Sequence, residues 1–538
     1  MAASSISPAV PFPDRRAKSL WLKRNMAWLL VALFSLLYFG ETLLRAAEKP
    51  LWFDELCTLY ICRLPTFGDS WAAVLHGADF NPPLFYVIHR LARALFGEGQ
   101  IAMRLPEIFG FWMLSVCLFR FVSKRVGWAA GWIAMVLPML TGAYFYAYEA
   151  RPHGLVLGFL GLAMVCWQEM KATPKVLRWR VAFGTALACA YLLHCYAVLL
   201  VIPFALTEAW RTIRNKEIRV KEWFTLATPA AIAVISFVPL LQSYRNTLRG
   251  TGFGKSMFAP TFSELLKFYG FILTPCLLVV LVVLSINALR GIAGTRRVTA
   301  AADTSGNAFA REELVLTIGL ALLPVFGIVL AVAVRGPFFA RYFLGGMAGC
   351  ALLLAYASGP MHRDRKVLGV AALTGILAVQ QFGTTASLVR KKVPEWMVEP
   401  SSGFAFSTIP GQPLASYSML SARKPSDRPI IITGLVDFLY LVHYAPWLKP
   451  QLYSVSATET ALPFRLYRSL REWCHIDFNR EETYDEFLAD HTAFTLYGTF
   501  DDLSFFSDLI GRRGGTIHSL RVDKNGHFLA EVTIADRK

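Results

Sequence analysis

The chain has 538 residues, of which 55% are hydrophobic and 17% charged, with a mean hydropathy of +0.45. Soluble globular proteins carry about 25% charged residues; a soluble fold of this composition would expose apolar patches large enough to aggregate, and an aromatic content of 14% excludes a disordered chain. The net charge of +17 does not point to nucleic acid, because the cations fall mainly between apolar runs, where they report orientation in a membrane.

A membrane span needs about 20 mainly apolar residues. Such runs occur near 26–44, 106–122, 128–146, 153–169, 181–193, 196–210, 223–243, 264–289, 314–334, 342–359 and 367–388, the fifth and sixth short and poorly separated. They predict a polytopic α-helical membrane protein with about eleven transmembrane helices. The first run follows Arg15, Arg16, Lys18, Lys23 and Arg24 and has the look of a signal peptide, but the apolar runs behind it favour an uncleaved signal anchor. The N-terminal tail and every second short loop hold most loop cations, among them Lys124, Arg125, Lys171, Arg211, Arg214, Arg290 and Arg365. The alternate short loops hold only Arg151, Arg245, Arg249, Lys255, Lys267, Arg335 and Arg341. The N-terminus is therefore expected in the cytoplasm. An odd number of spans then puts the first long loop, about 45–105, and the C-terminus in the same outer compartment.

In that loop, Trp52 to Gly77 reads as helical, and Asn81-Pro82-Pro83 opens an amphipathic run with Leu84, Val87, Ile88, Leu91 and Leu95 on one face. Such a helix either lies in the membrane interface or packs on the bundle. Residues 1–390 read as the membrane domain, 391–428 as a linker or extended segment, and 429–538 as a small soluble α/β domain. Within the last, a strand is expected at 428–433 and others near 451–456, 492–498, 515–521 and 527–534, with helices near 435–445, 463–473 and 502–512. Nine cysteines without a CxxC pair indicate neither a zinc site nor a disulfide scaffold; Cys57 and Cys62, in one outer loop, are either bridged or free.

Charges near the membrane tend to mark function, and several collect at the outer ends of the spans: Asp54, Glu55, Arg104, Glu149, Arg151, His194 and Arg341. Adjacent carboxylates on a helix point about 100° apart, so one of Asp54 and Glu55 can face a site while the other supports it. A carboxylate beside apolar walls can act as a general base; it can equally be an acid favouring a helix N-terminus. In Tyr148-Glu149-Ala150-Arg151-Pro152, Glu149 and Arg151 can pair, either for function or to hold the loop. Arg104 and Arg341 can bind a ligand or merely snorkel, and His194 can be a ligand or a core residue. The run from Gly250 to Ser256 mimics a phosphate-binding loop, but its spacing is one residue short and no strand precedes it. His76, His89, His153 and His194 lack paired spacing, so no essential metal is expected.

Taken in order, these segments resemble the GT-C membrane glycosyltransferases, such as protein O-mannosyltransferases, lipid A aminoarabinose transferases and rhizobial lipopolysaccharide core transferases. The resemblance rests on Asp54-Glu55, Asn81-Pro82-Pro83-Leu84-Phe85-Tyr86, Arg104-Leu105-Pro106, Tyr148 to Pro152, the Tyr191–Tyr196 segment with His194, and Arg341-Tyr342. The family's His-Pro-Pro is commonly where this chain has Asn81-Pro82-Pro83, and its Glu-Ala-Arg-Pro-Tyr ends here in His153. The resemblance implies a GT-C-like bundle with an extracytoplasmic domain, in a bacterial inner membrane with that domain in the periplasm. It implies transfer of a sugar from a polyprenyl-phosphate donor to a hydroxyl of a lipid, glycan or protein, with inversion and without a cofactor. Asp54 then takes the place of the base, with Glu55 beside it; Arg104, Arg151, His194, Lys255 and Arg341 take that of the phosphate donors; Tyr148, Glu149 and Asn81 support them. The competing readings are a polyprenyl-lipid or sugar transporter or flippase without transfer chemistry, and an anchored scaffold. Membrane lipid is a partner under each, and nucleic acid under none.

Overall fold

In lipid, backbone polar groups must be satisfied within the segment, so each long apolar run becomes a helix. The computed structural model describes residues 15–249, 260–292, 311–334, 338–358, 365–391, 418–421, 428–499, 511, 513–522 and 527–534. Lys255 with the glycine-rich run around it, nearly all of the expected linker and most of the expected helix at 502–512 lie outside the described residues. The chain begins with α1 (Arg15–Glu48) and three short helices, α2 (Phe53–Arg63), α3 (Phe67–Leu75) and α4 (Pro83–Phe96). The bundle continues with α5 (Gln100–Ser123), α6 (Trp128–Val136), α7 (His153–Ala172), α8 (Leu177–Leu193), α9 (Val201–Asn215) and α10 (Val220–Leu248). It ends with α11 (Phe262–Leu273), α12 (Leu277–Ile292), α13 (Arg311–Ala321), α14 (Leu323–Val334), α15 (Gly345–Ser358) and α16 (Arg365–Lys391).

Among the described residues, seven helical stretches are long and apolar enough to cross a membrane, and nine if each of two bent pairs is one span. The pairs are α6 and its extension to Leu140 against Gly142–Tyr148, bent by 76°, and α13 against α14, bent by 50°. Pro138 and Pro324, which cannot donate to the preceding turn, sit at these bends. The other two expected spans correspond to α8 and α15, which at 17 and 14 residues fall short of that length. α5 and α7 cross with their backbones in contact. A Cβ on Gly110 would lie 2.5 Å from the Gly154 carbonyl oxygen, and one on Gly158 2.5 Å from that of Gly110, so only glycine allows this approach.

The first loop is helical as expected but broken at Leu64-Pro65-Thr66, where Thr66 and Asp69 form a reciprocal cap that starts α3. α4 buries Phe85, Tyr86 and His89 and leaves Val87, Leu91 and Leu95 exposed, so it packs on the protein through one face and keeps the other free. Cys57 and Cys62 are both buried and both free thiols.

The C-terminal unit consists of β1 (Ile430–Ile432), α17 (Leu435–Tyr444), β2 (Leu452–Tyr453), β3 (Val455–Ser456), α18 (Leu462–Cys474), β4 (Glu482–Thr483), α19 (Tyr484–Asp490), β5 (Ala493–Thr499), β6 (Gly515–Val522) and β7 (His527–Ile534). Its main sheet has the order β2-β1-β5-β7-β6; β1 runs parallel to β2 and β5, whereas β5, β7 and β6 are antiparallel, with Ile431 opposite Leu496 and Leu496 opposite Ala530. β3 and β4 pair separately in parallel. This is the small α/β unit expected from the sequence, with β4 and α19 in addition. Leu56, Leu59, Ile61 and Phe85 of the first loop share one hydrophobic cluster with Phe438, Leu441, Tyr467 and Leu470 of the C-terminal unit. Both parts therefore sit on the same end of the bundle.

Candidate functional site

The two adjacent carboxylates at the start of α2 divide as their helical spacing requires. Glu55 is fully buried and accepts from Arg104 Nε (2.7 Å) and Nη2 (2.6 Å), and from the Ala150 N–H (2.6 Å). Arg104 also donates to the carbonyls of Ala46 and Pro50, both at 2.9 Å. Burial pushes the Glu55 carboxyl up, but the Arg104 guanidinium and the Ala150 N–H together hold it below the usual carboxylate range. This pair ties the end of α1 and the start of α2 to α5. Arg104, expected among the phosphate donors, is instead enclosed in the wall, its guanidinium turned to Glu55 and the backbone. Glu55, expected as catalytic, stands behind the site.

Asp54 faces the other way, with 21% of its side chain exposed. Its Oδ2 lies 3.8 Å from both Arg151 Nε and Arg341 Nη2. Arg151 is oriented by a residue that the sequence reading did not single out, Asp79, donating to it from Nη1 (2.7 Å) and Nη2 (3.2 Å). Asp79 also accepts from the Phe80 N–H (2.8 Å) and from Asn81 Nδ2 (3.0 Å). Burial raises its carboxyl, and Arg151 outweighs that and holds it low. Asn81, expected to support the site, touches it through Asp79. The expected Glu149–Arg151 pair does not form, because Arg151 is taken by Asp79.

Glu149 is 2% exposed and makes no side-chain hydrogen bond among the described residues. Burial pushes its pKa up to about 7, opposed by Lys49 and Arg341 and assisted by Glu55 and Asp54. Tyr148 turns into the bundle, where its hydroxyl accepts from Arg45 Nη1 at 3.1 Å, beside Glu41 and Thr385. It supports the helix ends and does not face Asp54.

Arg341, on a 3-10 turn over Ala340–Phe343, lines a narrow cleft that opens to solvent. His153, His194 and Tyr342 line the same end, and Val156, Leu157, Leu160 and Leu344 make the far wall apolar. The His194 ring lies 4.5 Å from that of Tyr342 and 5.6 Å from that of His153, centroid to centroid. Burial, then the charges of Arg151 and Arg341, push the His194 pKa down to about 3, which keeps the ring neutral. The structure thus places Arg341, His194 and His153 in the lining of one cleft, and sets Asp54, with Arg151 and Asp79 behind it, beside Arg341. Among the described residues, no three His, Cys, Asp or Glu side chains converge as metal ligands.

No protein-family model matches the chain, and no curated protein matches its sequence. Solved structures do match. ArnT from Cupriavidus metallidurans in the apo state aligns with a TM-score of 0.53 at 13% identity, covering 96% of this chain and 98% of that one. The same protein bound to undecaprenyl phosphate gives 0.50 at 13% identity, over 94% and 98%. An oligosaccharyltransferase from Archaeoglobus fulgidus gives 0.40 at 12% identity, over 93% of this chain and 72% of that one. Over nearly its whole length the chain shares the fold of ArnT, in keeping with the GT-C-like bundle expected from the sequence.

Proposed function

We propose that this protein transfers a sugar from a polyprenyl-phosphate donor to a hydroxyl acceptor at the loop-bearing end of the bundle. The observation that carries the reading is a carboxylate, Asp54, set between two arginines, one of which, Arg341, lines a cleft with apolar side chains. A lipid phosphate needs both halves, and the ArnT structure that shares this fold was solved with undecaprenyl phosphate. Asp54 takes the proton of the acceptor hydroxyl as its oxygen attacks the anomeric carbon. The bond from that carbon to the phosphate oxygen breaks, and its electron pair leaves with the polyprenyl phosphate. Arg341 and Arg151 donate to the phosphate oxygens as charge develops, with His194 and His153 at the same end of the cleft. Asp79 and Asn81 hold Arg151, and the Glu55–Arg104 pair holds the backbone that presents Asp54. Glu149 tunes the field between Asp54 and Arg341.

One base and no covalent intermediate give inversion. The carboxylates at the site are already opposed by arginines, so the reaction runs without a metal. We place the protein in a bacterial inner membrane with this end in the periplasm and a glycan, lipid or protein as acceptor. The test uses the full chain in lipid with polyprenyl-phosphate sugars from its host's membranes. Acceptor-dependent release of polyprenyl phosphate, with product of the opposite anomeric configuration, supports the reading. Lipid movement across the bilayer without release supports a carrier instead.

A further inference from the structure

Away from the Asp54 cluster, the C-terminal unit holds a second, open cleft. It lies outside the carboxyl ends of β1 and β3, the place where open α/β sheets bind ligands. Both strands lead from it into helices, α17 of 10 residues and α18 of 13. Their N-cap residues, Gly434 and Ala461, line the cleft and offer no side-chain cap to the first-turn N–H groups. The second observation is independent of the helices. Ser454 and Ser456 line the same cleft, each only 4% exposed, and their hydroxyls have no hydrogen-bond partner among the described residues. Both hydroxyl oxygens reach the open space of the cleft, where only water or a ligand can pair them. Two on one wall of an open cleft mark where the polar groups of a ligand belong.

The lining settles the chemistry. It contains no Lys, Arg, His, Asp or Glu, so a phosphate or nucleotide would meet no countercharge side chain. It does contain the rings of Tyr467 and Tyr484 and several aliphatic side chains; Tyr467 is fixed by donating its hydroxyl to the Leu435 carbonyl. Aromatic and aliphatic walls with a few placed hydroxyls and amides suit an uncharged, hydroxyl-rich ring. We propose that the C-terminal unit binds a neutral saccharide in this cleft, through Ser454, Ser456 and the first-turn amides of α17 and α18. That the saccharide belongs to the acceptor rests on the transferase reading above; the binding itself does not.

The experiment is saturation-transfer NMR on the full chain in nanodiscs, with free glucose, galactose, mannose and N-acetylglucosamine as probes and inorganic phosphate as control. At least one neutral sugar should bind. Losing one neutral hydrogen bond in Ser456→Ala should weaken it about fivefold, and Ala461→Trp, which fills the cleft, should abolish it. Ser456→Ala is the milder variant and keeps the test decisive if Ala461→Trp misfolds. Asp54→Asn should bind the sugar normally, so that a failure of the transferase reading leaves this result standing. The proposal is overturned if no sugar binds, if phosphate alone binds, or if a folded Ser456→Ala protein binds sugar as the wild type does.

Discussion

Replacing Arg104 by Gln removes the cation that both Glu55 oxygens face, at 2.6 and 2.7 Å with neither side chain exposed. Breaking a buried ion pair by removing one partner costs about 3–5 kcal/mol, because the other charge stays buried and unpaired. The backbone carbonyls of Ala46, Lys49 and Pro50 lose their donor as well. The expected result is a protein less stable by about 4 kcal/mol, read by SDS or thermal unfolding in lipid, with unchanged donor affinity per folded molecule. Glu55→Gln should cost a similar amount, and Glu55→Gln with Arg104→Gln should cost less than the two singles together, since they share one interaction. Because the Glu55 carboxyl is held low in the fold, its contribution is present at neutral pH and is lost only as pH falls through that lowered value. Wild-type unfolding in Arg104→Gln, combined with weakened donor binding, would refute the wall assignment and return Arg104 to the phosphate.

Asp79→Asn frees Arg151 to close on Asp54 and weaken the base; kcat should fall about tenfold, equivalent to roughly 1.4 kcal/mol. An unaltered kcat counts against the role of Asp79. Glu149 has a folded pKa raised from 4.5 to about 7, so its stabilisation is full below 4.5 and disappears as pH rises through about 7. Glu149→Gln removes that loss, and pH-dependent unfolding should show the variant gaining on the wild type, by on the order of 3 kcal/mol at the alkaline end. Exhaustive chelation should leave transfer unchanged; a loss restored by one divalent ion contradicts the metal-free reaction.

Hydropathy made the spans legible because a helix in lipid has no other way to satisfy its backbone; it marked the runs that fold as α8 and α15 too, although these helices fall short of spanning length. The split between Asp54 and Glu55 followed from helical geometry. What the sequence could not show was which of them faced inward, since that depends on Arg104 reaching across from α5. Arg104 looked like an end-of-helix arginine, and only packing reveals the carbonyls around it. Asp79 escaped notice as a lone acid, although its place two residues before Asn81-Pro82-Pro83 marks a turn whose side chain bonds forward. The Thr483–Glu486 capping box was a visible signal for α19, passed over because the helix spans only seven residues.

The central claim is that Asp54 is the base of a lipid-linked sugar transfer. Its most direct test compares wild type and Asp54→Asn for acceptor-dependent release of polyprenyl phosphate, with membrane insertion checked in both. The wild type should release it, and the variant should lose at least about a hundredfold in rate while inserting normally. Near-normal release by Asp54→Asn, or no release by the wild type from any host donor, would contradict the account.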